Sequence, residues 1–226
     1  TNVVELLKKN GAVLHPLADP AVIKISGNIY RITSDYSIKT NVVFFSGQDG
    51  FLTVDTGLRR TAKSLKRTLV KLSGGQFGNF RYIINTHHHG DHRQANLIAG
   101  KNVKIINGGN LDQLVQQGIL KKGTGPLKGK TGETFDTYYV LTFNGEDIRL
   151  IPYPGCHSKQ DIMIHFTKSK VVHMGDLLLS QSFPAVSRNV KKYMAFLDKV
   201  IAIFPPGTIF VSGHGKDLDK KGLIAY

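Results

Sequence analysis

Apolar positions in this chain come in short blocks whose spacing switches between that of strands and that of helices. Ala21 to Thr33 is β-rich and broken at Gly27-Asn28. Asn41 to Ser46 and Phe51 to Val54 read as strands joined by the turn Gly47 to Gly50. Tyr82-Ile83-Ile84 reads as a buried strand ending at Asn85, and Val103 to Ile106 as another. Tyr138 to Phe143 and Asp147 to Ile151 form a hairpin around Asn144-Gly145, a strong turn signal. Asp161 to Phe166 pairs with Lys170 to Met174, and Thr208 to Val211 is the last core strand.

Between these blocks the period lengthens to that of helices. Leu58, Ala62, Leu65, Leu69 and Leu72 form one stripe, which Ser73-Gly74-Gly75 ends. Val190, Tyr193, Leu197, Val200, Ile201 and Phe204 form a second within Arg188 to Phe204, ended by Pro205-Pro206-Gly207. Shorter helices are expected at Val3 to Lys9 and Asn110 to Gln117, and a helix start at Gln94 to Ala99. Lys216 to Tyr226 forms at most a short helix. Lys121 to Gly132, with Lys121, Lys122, Lys128 and Lys130 among glycines and Pro126, reads as a flexible basic loop. Strands alternating with helices predict a layered α/β fold.

Chemistry concentrates at Thr86-His87-His88-His89-Gly90-Asp91-His92, which sits between a strand end and a helix start. Imidazole and carboxylate together suit a borderline cation such as Zn²⁺. An expression tag would lie at a terminus with no buried strand before it. In an extended segment alternate side chains fall on one side, so His87 and His89 can share a cation while His88 points away. Gly90 permits a bend that aims Asp91 and His92 at a neighbouring cation.

This His-x-His-x-Asp-His pattern resembles the metallo-β-lactamase fold superfamily, and other segments match in family order. Asp55-Thr56-Gly57 resembles an Asp-Thr-Gly whose aspartate supports the metal loop from behind; the alternative for Asp55 is a helix cap. Pro154-Gly155-Cys156-His157 resembles the segment carrying the third histidine of the first metal. Gly175-Asp176 resembles the source of a bridging carboxylate, and Gly213-His214-Gly215 the closing histidine. The resemblance implies an αβ/βα sandwich of four layers, formed as a single domain over residues 1–226, with the metal site at one edge of two mixed sheets. It implies two divalent metal ions, zinc first, with manganese or iron as alternatives. His87, His89 and His157 would hold one; Asp91, His92 and His214 the other; Asp176 would bridge them, and Asp91 would also orient or relay a proton. Tyr36, on the loop between early strands, is a candidate substrate contact or simply an exposed loop tip. Cys156 is expected to be a small buried side chain, and His165 and His173 packed or surface histidines.

The resemblance implies a hydrolase in which a metal-bridging hydroxide attacks a carbonyl or phosphoryl centre. Position 89 is His rather than the Glu of the family's di-iron oxidoreductases, and Asp176 stands where one lactamase subclass has cysteine. Hydroxyacylglutathione hydrolases carry a sizeable domain after their final histidine, whereas 12 residues follow His214 in this sequence. The expected substrate is a small molecule with an ester, lactone, thioester or β-lactam bond. The alternatives are a nucleic-acid phosphodiesterase and a non-catalytic metal-stabilised binding protein.

Composition adds two things. The chain has 226 residues, 41% hydrophobic and 20% charged, enough for a sizeable core. No apolar run approaches the roughly 18 residues that span a bilayer. One cysteine excludes an internal disulfide, and a chain beginning at Thr1 is compatible with a removed leader; an extracytoplasmic location is slightly favoured. The net charge of +14 suits acidic partners, though the scattered lysines read more simply as a solvated surface. Oligomeric state is not encoded in any feature of the sequence.

Overall fold

A computed structural model describes residues 18–34, 36, 38–129, 132–184 and 189–226. The expected helix Val3 to Lys9, and Asp35, Lys130 and Arg188, lie outside these residues. Two six-stranded sheets face one another. The first has the order β1 (Ala21–Ser26), β2 (Ile29–Thr33), β3 (Asn41–Gly47), β4 (Gly50–Val54), β5 (Phe80–Ile84), β6 (Lys104–Ile106). The second contains β7 (Lys121–Lys122), β10 (Tyr139–Phe143), β11 (Glu146–Pro152), β12 (Ile162–Phe166), β13 (Val171–His173) and β14 (Ile209–Val211), in the order β14-β13-β12-β11-β10-β7. The strands β8 (Leu127–Lys128) and β9 (Thr134–Phe135) make a small separate ribbon. Both large sheets are mixed: β4, β5 and β6 pair in parallel, as do β13 and β14.

The continuous apolar runs arise because the central strands are covered on both faces. Val43 and Phe45 of β3 join Leu150, Ile164 and Phe166 between the sheets. The alternate residues Val42 and Phe44 meet Leu65 and Leu69 of helix α1 (Ala62–Leu72). Across the molecule Ile151 and Met163 face outward to Tyr193, Phe196 and Leu197 of a long helix, Val190–Ile203. Three apolar interfaces thus stack helix, sheet, sheet and helix, which is the expected four-layer sandwich. Among the described residues no helix is long and apolar enough to cross a membrane.

Several elements differ from expectation, each for a physical reason. Lys121 to Gly132 is not one basic loop: Lys121 and Lys122 pair with Val140 and Tyr139, and β8 pairs with β9. Ladder bonds are made by backbone, so exposed lysines can occupy a sheet edge, where charge discourages further pairing. Residues Gln94–Ile98 form a 3-10 turn, preceded by the short helix α2 (Gly90–Arg93). The turn is anchored when Ala95 N–H donates to Gly57 O. The first stripe likewise starts with a 3-10 turn, Arg59–Thr61, and only becomes α-helical at Ala62. In the long helix Phe196 is fully buried while Val190 is 63% exposed, so the stripe is rotated from the expected one. Helices α3 (Leu111–Gln116), α4 (Val190–Ile203) and α5 (Lys220–Ala225) complete the chain.

β4, β5, β11, β13 and β14 all run toward the same edge, where the histidine-bearing loops lie. At the opposite edge a turn-to-turn clasp joins the sheets. Asp49 N–H donates to Asn144 Oδ1 (2.7 Å), and Asn144 N–H returns a bond to Asp49 Oδ2 (2.6 Å).

Phe166 is fully buried and packs edge-on to Phe45 at 5.4 Å across the sheet interface. Phe166→Ala is expected to cost about 3–5 kcal/mol in urea unfolding. His165, on the outer face of β12, packs edge-on against Phe204, and its buried Nδ1 makes no hydrogen bond. Burial, aided by Arg149, pushes it from the ordinary 6.5 down to about 4. Between those two values the unfolded chain takes up a proton that the native ring refuses, so stability falls as pH drops through that window. His165→Phe should flatten this slope, read as the wild-type minus variant unfolding free energy against pH.

Candidate metal centre

Five strand ends deliver the site. Asp55 follows β4, and Thr86 to His92 follow β5 into α2. His157 lies beyond β11, Asp176 beyond β13 and His214 beyond β14. Two groups result: His87, His89, His157 and Asp176, and Asp91, His92, Asp176 and His214. Within each group the ligand-type atoms lie within 4.8 Å of one another. All seven residues first singled out by pattern are therefore brought together, and Asp176 belongs to both groups. His88 is exposed, packs edge-on to His89 and enters neither.

Hydrogen bonds behind the cluster decide which nitrogens face it. Asp55 is fully buried, with its backbone at φ +60, a conformation uncommon outside glycine. Its Oδ1 accepts Thr86 N–H (2.8 Å); its Oδ2 accepts the Thr86 hydroxyl (2.8 Å) and His92 Nδ1–H (2.7 Å). Because the Thr86 hydroxyl spends its proton on Asp55, its 2.9 Å contact with His87 requires Nδ1–H to be the donor. Both His87 and His92 then turn Nε2 into the cluster, the nitrogen a cation would take. Asp55 caps no helix; its bonds hold the histidine loop through Thr86 and His92.

The other arms are held as firmly. His157 N–H and Ser158 N–H donate to Asp161 Oδ2 at 2.9 and 2.7 Å, and the Ser158 hydroxyl bonds Oδ1. The motifs give Thr86 no role and do not include Asp161; the spacing Ser158-x-x-Asp161 is a local capping signal that flags that pair. Two glycines let the loops close in: a Cβ on Gly175 (φ +52) would stand 2.7 Å from Thr86, and one on Gly213 would stand 2.0 Å from Asp176 Oδ1.

The contacts across the centre are those of donor atoms aimed at common points. His157 Nε2 lies 2.9 Å from His89 Nδ1, and His92 Nε2 lies 3.3 Å from His214 Nε2. Asp176 Oδ1 is 3.1 Å from His92 Nε2 and 3.4 Å from His214 Nε2. Nevertheless buried His87 Nε2 and Asp176 Oδ1 make no hydrogen bond. Orphaned buried polar atoms are costly unless another partner satisfies them. Imidazole nitrogens and carboxylate oxygens at this spacing fit a divalent cation.

Electrostatics point the same way. Burial, with help from His92, pushes His87 down to about 3, so its ring is neutral. Burial opposes protonation of His92, but Asp55 and Asp176 outweigh it and raise the ring to about 10. His214 is likewise raised against burial, to about 9, by Asp176 and Asp91. Burial works against the Asp176 carboxylate, yet His214 and His92 hold it well below the usual range. A cation arriving at these nitrogens replaces the protons they carry.

The remaining candidates lie apart. Tyr36 accepts a hydrogen bond from Arg60 Nη1 (2.7 Å), whose guanidinium sits over its ring. Cys156 is fully buried among the residues under α4, and burial pushes its thiol up to about 11. His165 and His173 belong to strands and to neither cation group.

Comparison with known proteins agrees with this architecture. The sequence pattern of the metallo-beta-lactamase superfamily matches residues 38–219. A metallo-beta-lactamase from Pontibacter korlensis superposes with a TM-score of 0.67 at 19% identity, covering 91% of this chain and 95% of that one. The DIM-1 metallo-beta-lactamase superposes with a TM-score of 0.64 at 14% identity, covering 92% and 95%. At such identities these likenesses speak for the fold. The family match over most of the chain, together with a His/Asp cluster fit for divalent metal, supports a metal-dependent hydrolase: the chain belongs to the metallo-beta-lactamase superfamily.

Proposed function

We propose that this protein is a binuclear, zinc-type hydrolase of a small acyl substrate: an ester, lactone, thioester or β-lactam. The observation that carries it is the pair of cation-type groups interlocked through Asp176. His87, His89 and His157 would hold one cation, Asp91, His92 and His214 the other, with Asp176 between. A divalent cation there supplies Lewis acidity, polarising a substrate oxygen and bringing the pKa of water from 15.7 to about 7. Imidazole and carboxylate donors favour zinc, with manganese or iron as alternatives. Asp91, at 21% side-chain exposure against 8% for Asp176, is the more accessible carboxylate. In this reading it orients the attacking water and passes its proton toward the leaving group. The related structures bear the lactamase name, which puts a β-lactam among the bonds to test.

One observation favours a second reading, a nucleic-acid phosphodiesterase. Residues 56–90 contain no Asp or Glu, and α1 with its preceding turn carries Arg59, Arg60, Lys63, Lys66, Arg67 and Lys71. A panel separates the two: zinc- or manganese-loaded protein with a lactone, a thioester, nitrocefin, a bis-phosphate ester and RNA. Acyl turnover insensitive to salt is expected; RNA cleavage with a steep salt dependence would install the second reading.

Elemental analysis of protein purified without chelator should return two cations per chain. His157→Ala should lose one cation and nearly all turnover, whereas His88→Ala should keep both cations. Gly213→Ala should weaken cation binding roughly 10- to 100-fold by pushing Asp176 aside.

A further inference from the structure

Behind Asp176 and His214 lies a second set of buried polar groups that neither the motifs nor the ligand positions account for. Asn41, the first residue of β3, is fully buried and uses every polar atom it has. Its N–H donates to Gly213 O (2.8 Å). Its side-chain amide donates to Ser212 O (2.9 Å) and Gly215 O (3.0 Å). Asn41 therefore grips the segment Ser212 to Gly215 from three points around His214. Its own orientation is set by Thr33 Oγ1 and Arg31 Nη1, which donate to Asn41 Oδ1 at 2.7 and 3.3 Å. Arg31 Nη1 also reaches Gly215 O (2.9 Å), and its Nε pairs with Asp217 at 3.1 Å.

His173 completes the arrangement from the second sheet. It is fully buried at the end of β13. Its Nδ1 accepts Gly175 N–H (3.1 Å), so that nitrogen is unprotonated and the proton is on Nε2. Nε2–H then donates to Asn41 O (3.2 Å). Burial favours the neutral ring this requires. Gly175 O in turn accepts Gly213 N–H (2.8 Å), closing a loop of bonds. The two segments carrying Asp176 and His214 are thereby tied to one another and to β3 of the facing sheet.

We infer that Asn41 and His173 are positioning residues: through a buried hydrogen-bond bracket across both sheets they set Asp176 and His214 for the cation held by Asp91, His92 and His214. Neither side chain belongs to a cation group, and neither bonds the segment from His87 to His89 or His157. Breaking the bracket therefore acts on one cation more than the other. Partners of this kind behind ligands change metal affinity roughly 10- to 100-fold when lost. The inference rests on the two-cation reading proposed above.

The test is a zinc titration of the stripped full-length chain against a chromophoric chelator, which resolves two affinities. Asn41→Ala and His173→Phe should weaken one cation roughly 10- to 100-fold and the other, which shares only Asp176 with the bracket, by clearly less. His173→Gln, whose amide can stand in for the Nε2 donor, should recover part of the loss. Thr33→Val, which only releases the Asn41 amide to turn, should show the same selectivity if Asn41→Ala does not fold. Asn144→Ala, which breaks the clasp at the far edge, should lower the melting temperature without moving either affinity. Equal weakening of both cations, no weakening, or a selective loss in Asn144→Ala would overturn the inference. Unchanged variants beside a wild type that binds two cations overturn it alone; a wild type that binds fewer than two overturns the two-cation reading and the bracket together.

Discussion

The whole edge that gathers the histidines depends on one buried carboxylate. Asp55 sits where β4 ends, in a strained left-handed backbone conformation, and has no solvent. A charge in that position persists only because three donors converge on it: the Thr86 amide, the Thr86 hydroxyl and His92 Nδ1. The same three bonds fix the start of the histidine loop, and they make Nδ1 of His92 a donor directly and that of His87 through Thr86. Desolvating one anion is thus turned into orientation of two imidazoles.

The rest of the fold makes that placement possible. Strands β4 and β5 are parallel neighbours, so Asp55 and Thr86 leave the first sheet side by side. β13 and β14 do the same for Asp176 and His214 in the second sheet. The sheets meet across an apolar interface of Val43, Phe45, Leu150, Ile164 and Phe166, which holds the two halves of the centre at a constant separation. Glycines 175 and 213 supply what side chains would deny: a Cβ on Gly175 would meet Thr86, and one on Gly213 the Asp176 carboxylate.

What could be read from sequence was local. The histidine loop, Asp55-Thr56-Gly57, Pro154 to His157, Gly175-Asp176 and Gly213 to Gly215 are each contiguous, and their order along the chain carries the family pattern. The apolar blocks were likewise legible because strands buried on both faces leave unbroken runs. The polar residues that hold the loops were not. Asn41 reaches Gly215, 174 positions away, and no neighbouring residue announces it. Lys121 and Lys122 pair through backbone alone, so side-chain chemistry says loop where hydrogen bonding says strand. Phe196 was missed because a stripe drawn through Val190 is turned slightly from the face that α4 actually buries.

The clasp at the far pole has an implication of its own. With Asp49 and Asn144 locking turn to turn, and the ligands rooted in strand ends at the other pole, the sandwich resembles a book bound along its spine. The spine carries the load of keeping the two sheets closed, and it does so far from the histidine loops. Variation in the bound turns is therefore felt as a change in how firmly the sandwich holds, whereas variation at the strand ends is felt at the cluster itself.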